Sequence, residues 1–203
     1  MVPEKQNECT RMSKKSILRA IRQNQPQGPP LPDLPSFASD APEAPLAAFQ
    51  AMVADMGGQV ANAADYPDLG ALVSAYFPGE TLVASTVPGF PGNIPLQNLT
   101  SPAALETVGL AVMPAAWGVA ENGAVWVTEK ECLFRVLPFI AQHLLVVLAK
   151  DRILFNMQEA YQRVQVDETG FGVFIAGPSK TADIEQALVI GAQAARSFTV
   201  VLE

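Results

Sequence analysis

The sequence predicts an α/β sandwich built on a mostly parallel sheet, and three observations point there. Runs rich in β-branched and apolar residues alternate with helix-like runs along most of the chain. His143–Leu148 is a continuous apolar strand, of the kind found where both faces of a parallel sheet are covered. Residues 171–176, a helix-like run opening at Thr181, and residues 198–202 read as a β-α-β unit.

The elements follow in order. Residues 1–12 are polar. Residues 13–23 read as a short helix with Ile17, Leu18 and Ile21 on one side and Lys14, Lys15, Arg19 and Arg22 elsewhere. Prolines 26, 29, 30, 32, 35, 42 and 45 then predict a stiff extended linker, because proline fixes φ and removes a donor. Residues 1–45 are therefore expected to form an arm and residues 46–203 the α/β domain. Leu46, Phe49, Val53 and Met56 recur at helical spacing, and Gly57-Gly58 ends that helix. Residues 68–77 read as a second helix closed by Pro78-Gly79. Residues 81–87, 108–113 and 124–128 read as strands, with a proline-rich loop over 88–102. Residues 153–164 read as a helix with Leu154, Met157 and Tyr161 on one face.

Composition excludes several classes. The 203 residues are 49% hydrophobic and 16% charged, enough for one domain with a sizeable core. No apolar run reaches the roughly 18 residues of a membrane helix, and the charged N-terminus does not read as a secretory signal. Six of the thirteen Lys and Arg lie in the first 22 residues, and none follows until Lys130. The ten acids from Asp33 to Glu129 in that gap repel phosphate backbones, so nucleic acid is not expected as a partner of the body. Cys9 and Cys132, the two cysteines, point to reduced thiols in a cytoplasmic protein. Two thiols are too few for an iron–sulfur cluster, and no metal-ligand spacing is present, so no cofactor is expected in this chain.

Two segments carry candidate chemistry. Gly177-Pro178-Ser179-Lys180-Thr181-Ala182-Asp183 is a turn between a strand and a predicted helix start. Such a turn aims backbone N–H groups and a helix dipole at one spot, which suits a carboxylate or phosphate, with Lys180 as the nearby cation. Ser179, Thr181 and Asp183 also suit simple helix capping. In Ala120-Glu121-Asn122-Gly123, Asn-Gly is a hairpin signal. Glu121 is then either a solvated acid beside a turn or a nucleophile or base at a pocket edge. His143, the sole histidine, reads as a structural residue at a strand head, and Cys132 as a buried thiol.

These residues also carry a family likeness. Residues 176–185 closely resemble the signature of the lactate-utilisation protein C family, the LUD domain. Ala120-Glu121-Asn122-Gly123-Ala124-Val125 resembles that family's acidic-residue–Ser/Thr–Gly–Thr strand, and Leu137-Pro138 with the strand at His143 is similar to a third block. The likeness covers about residues 14–203. It implies a three-layer α/β/α fold like that of ribose-5-phosphate isomerase and the coenzyme A transferases. It also implies an accessory role beside iron–sulfur partner proteins that oxidise L-lactate to pyruvate. Two departures stand out. Gln193-Ala194-Ala195 occupies the place of the family's His-Gly-Pro, and Asn122-Gly123-Ala124 replaces a Thr-Gly-Thr type turn, losing two hydroxyls. Three functions follow as expectations. The first is an accessory subunit of a lactate-oxidising system that binds a small anion or partner proteins, with Asn122, Gly123, Gly177, Ser179, Lys180, Thr181 and Asp183 as binding residues. The second is a drifted, non-catalytic binding or scaffold member. The third is an acyl or coenzyme A transferase-like enzyme using Glu121. The N-terminal arm offers a route to a homo-oligomer.

Overall fold

The computed structural model describes residues 13–26, 28, 44–99, 101–164, 170–184, 187–193 and 195–203. The chain divides into two compact units, Met1–Ser39 and Asp40–Glu203. In the first, helix α1 spans Lys14–Gln23, capped by Ser13, whose hydroxyl accepts the Ser16 N–H at 3.2 Å. Ile17, Leu18 and Ile21 are exposed along it.

In the second unit, α2 (Pro45–Asp55) begins with proline at its first turn and stops at Gly57, which takes the positive φ of a helix terminator. Strand β1 (Gln59–Asn62) follows directly. Helix α3 (Leu69–Tyr76) is capped by Asp68, whose Oδ1 accepts the Ala71 N–H at 2.8 Å. Then come β2 (Val83–Ser85), β3 (Leu110–Pro114), β4 (Trp117–Val119) and β5 (Ala124–Thr128). Two single-turn helices, α4 (Glu129–Cys132) and α5 (Leu137–Ile140), lead into β6 (His143–Leu148). Strand β7 (Ile153–Leu154), helix α6 (Met157–Arg163) and β8 (Gly172–Ile175) follow, then β9 (Lys180–Ile184), β10 (Ala187–Ile190) and β11 (Ser197–Leu202).

The central sheet has the order β1-β11-β6-β3-β2 and every pairing in it is parallel. β6 lies in the middle, and its period-two alternation supplies both faces: Leu145 and Val147 on one, Leu144, Val146 and Leu148 on the other, all buried. The first face packs on Leu72 and Val73 of α3. The second packs on Phe49 and Val53 of α2, Cys132, Leu137, and Val125 and Val127 of a second sheet. That second sheet has the order β7-β4-β5-β8, mostly antiparallel, and α6 covers its outer side through Ala160 and Met157. A mostly parallel sheet flanked by helices is the three-layer α/β arrangement that the sequence predicts.

Helix α2 is the wedge between the two sheets. A Cβ at Gly118 would stand 2.9 Å from the Phe49 ring and 2.7 Å from Leu148. A Cβ at Gly123 would meet the Val53 backbone nitrogen at 2.7 Å, and one at Gly177 would press on the Met56 carbonyl oxygen. Gly123 and Gly177 also hold φ of 65° and 75°, a region that L side chains seldom occupy. Both turns of the second sheet therefore rest on the helix backbone, at a distance only glycine permits.

Three expectations change. The helix expected from Thr181 is instead the antiparallel hairpin β9–β10, with Lys180 opposite Ile190 and Thr181 opposite Val189. Short apolar runs are ambiguous between helix and strand, and here Thr181, Ile184, Val189 and Ile190 favour the extended form. The hairpin ends are tied by the Gly191 N–H donating to the Ser179 carbonyl at 2.8 Å. The expected β-α-β unit is likewise absent, because β8 belongs to the second sheet and β11 to the first. Residues 153–154 are strand, so the helix there starts at Met157 behind its Asn156 cap.

Two outcomes follow. Gly177→Ala carries about 1–3 kcal/mol of left-handed backbone strain, with the clash at Met56 added, and urea unfolding should show at least that loss. Burial pushes the Cys132 thiol up to about 11, with the nearby carboxylates Glu129 and Glu131 adding to the rise. The folded state thus favours the neutral thiol, so its contribution is intact below the unfolded pKa and is lost as pH rises towards the folded one. The fall in unfolding free energy between about pH 8 and about pH 10.5 should be smaller in Cys132→Ala than in the parent.

Candidate functional site

Strand β8 ends at Ile175, and the chain turns through Ala176, Gly177 and Pro178. Gly177 and Pro178 are buried, and Pro178 packs near Gly57, where a Cβ would lie 3.7 Å from its ring. The backbone of Ser179 is committed on both sides: its N–H donates to the Ala195 carbonyl at 2.9 Å, and its carbonyl accepts from Gly191. The bundle of free N–H groups expected of a helix start is therefore not formed here. What remains for a ligand is side-chain chemistry. A cavity of about 390 Å³ opens beside the turn, lined by Ser179, Lys180, Thr181 and Gln193 and walled by Phe139 and Phe174 among others. Lys180 is exposed, and among the described residues no acid lines the cavity. The hollow therefore pairs one cation and two hydroxyls with apolar walls, a combination suited to a small anion with a carbon body.

The structure brings the two sequence motifs together. β5 pairs with β8, with Val125 opposite Ile175, so the Asn122-Gly123 and Gly177 turns lie at the same end of the second sheet and both lean on α2. Asn122 is used locally, its side-chain oxygen accepting the Ala124 N–H at 3.1 Å. Glu121 points elsewhere: its carboxylate accepts the Met157 N–H at 2.7 Å, at the N-terminus of α6. Asp183 lies within β9, so it does not occupy the first turn of a helix. Cys9 falls outside the described residues, and Cys132 is buried. Among the described residues, no cluster of three or more His, Cys, Asp or Glu is placed to hold a metal. None of the helices described is long and apolar enough to cross a membrane.

A second hollow, of about 310 Å³, sits at the carboxyl ends of β6 and β11, between Tyr66, Phe90, Val147 and Val201. Carboxyl ends are the usual ligand side of open parallel sheets. Asp68 and Glu203 line it, so its charge disfavours a carboxylate. Sequence reasoning had not marked this hollow, because Tyr66, Phe90 and Val201 come from segments read only as loop or core.

The capping role of Glu121 is measurable. Glu121→Ala should cost roughly 0.5–2 kcal/mol, the range for a lost helix cap, and Glu121→Gln less, since its amide oxygen still accepts. Unchanged unfolding of Glu121→Ala would free the carboxylate for other work.

Comparison with known proteins bears on this geometry. The family model of the LUD domain matches residues 103–202, which include both turns and the cavity beside them. Among solved structures, a DUF162 family protein from Deinococcus radiodurans is similar to 78% of this chain and 95% of its own, with a TM-score of 0.56 and 16% identity. No curated protein matches the sequence. Residues 103–202 are thus similar to the LUD domain family, which is linked in general to lactate utilisation.

Proposed function

We propose that this protein binds a small hydroxy- or ketocarboxylate of the lactate–pyruvate type in the cavity beside the Gly177 turn. In this reading it is an accessory, non-redox member of a cytoplasmic lactate-oxidising system whose electrons pass through iron–sulfur partner proteins. One observation carries it: the cavity places Lys180, Ser179 and Thr181 over apolar walls with no acid among its described lining residues, inside the LUD domain match. Gln193 lines the same cavity, and the family resemblance sets a His-Gly-Pro at this place, so an amide stands where an imidazole is expected. An amide can hold a carboxylate oxygen through its NH2, but it does not exchange protons near neutral pH as imidazole does. Binding without turnover follows from that exchange.

A specific observation favours a second reading, a scaffold without a small ligand. Gly177, Ser179 and Glu121 are each engaged in packing, in ties to the hairpin or in capping.

Isothermal titration with L-lactate, pyruvate and inorganic phosphate separates the two. The first reading expects saturable binding of at least one of them, weakened about tenfold in Lys180→Ala, the loss of one charge-assisted contact of about 1.5 kcal/mol. Absence of binding with all three supports the scaffold. Co-purification of the tagged protein with cysteine-rich iron–sulfur proteins then tests the partner assignment, and isolation as a lone homo-oligomer under every condition would count against it.

A further inference from the structure

A row of three polar side chains crosses the amino end of the central sheet, and none of the three lines the Gly177 cavity. His143 heads β6 and Ser197 heads β11, and the parallel register sets them side by side. The Ser197 Oγ lies 2.7 Å from the His143 Nδ1. On the other side of the ring, the Glu80 Oε1 stands 3.4 Å from Nε2. Glu80 lies in the loop before β2, and its carboxylate occupies the space over Gly109, where any Cβ would overlap it. The glycine at the start of β3 thus makes room for the acid. Phe77, at the end of α3, holds the imidazole from the side, with ring centroids 5.4 Å apart. The imidazole and the carboxylate remain 26% and 27% exposed, so a solute can reach the row.

We propose that Glu80, His143 and Ser197 form a nucleophilic centre in which Ser197 takes acyl groups from small activated esters or thioesters. The carboxylate beside Nε2 favours the tautomer with its proton there, which leaves Nδ1 as the acceptor for the Ser197 hydroxyl. This is the acid–imidazole–hydroxyl relay of serine hydrolases with the two ring nitrogens exchanged. As the Oγ–C bond forms, the hydroxyl proton passes to Nδ1. The carbonyl then re-forms, the C–O or C–S bond to the leaving group breaks, and that group takes the proton from Nδ1. Water repeats the sequence at the acyl-serine, giving the free acid and restoring Ser197. Ser197 and His143 are the catalytic residues. Glu80 is a positioning residue that acts through the ring. Residues 80, 143 and 197 are far apart in sequence, which is why no local motif announces them.

The test uses the full chain with p-nitrophenyl acetate and an alkyl fluorophosphonate, and peptide mass spectrometry to locate the adduct. The expected result is a single adduct on Ser197, absent in Ser197→Ala. Labelling should slow about 100-fold or more in His143→Gln, the loss of a general base. Glu80→Gln should lower the maximal labelling rate about tenfold or more while leaving the half-saturating reagent concentration unchanged, a split that a purely structural acid would not produce. Circular dichroism confirms that each variant is folded. A folded parent with no adduct on Ser197, an adduct confined to other residues, or labelling of His143→Gln at the parent rate overturns the proposal.

Discussion

The body of this protein depends on the seating of one helix between two sheets. Helix α2 presents Phe49 and Val53 to the core, and both are fully buried. On the side of the second sheet it meets Gly118, Gly123 and Gly177, positions where a side chain has no space. Close-packed interiors tolerate few voids and little overlap, so the missing side chains are filled by the helix itself. The spacing between the sheets, the tilt of the second sheet and the place of its turns all follow from that contact.

This seating changes how the two family motifs are understood. Both turns supply a glycine that the seating of α2 requires, and the Gly177 turn also borders the cavity. Packing on α2 and the lining of the cavity share the Gly177 turn. Ser179 shows the division most clearly, because its backbone ties the hairpin to residue 195 while its side chain lines the cavity.

Much of the fold was legible in the sequence. The apolar run His143–Leu148 marked the central strand, and Asn122-Gly123 marked the hairpin turn between β4 and β5. Asp68 and Gly57 marked helix ends. What stayed hidden depends on tertiary contacts. Residues 181–190 carry a pattern short enough to suit either a helix or a hairpin, and the tie between Ser179 and Gly191 is not visible locally. Edge strand β1 is four residues long and gains its identity by pairing with β11 at the other end of the chain. At the candidate site, Lys180 and Ser179 line the cavity, whereas the helix start expected beside them is a strand. Gln193 departs from the family pattern in the sequence, while its place in the cavity wall follows only from the fold.

The hairpin β9–β10 pairs with neither sheet. A two-stranded ribbon has little stability of its own in water, and Val189 and Ile190 remain exposed on it. Among the described residues, a hydrogen bond between Gly191 and Ser179 ties its ends. Its amides therefore belong among those that exchange by local opening, well below the free energy of global unfolding. The cavity beside Lys180 thus has one rigid wall, built on α2 and β8, and one compliant wall. An occupant that bridges the two would order the compliant wall, so part of its binding energy would appear as slower hydrogen exchange along β9 and β10.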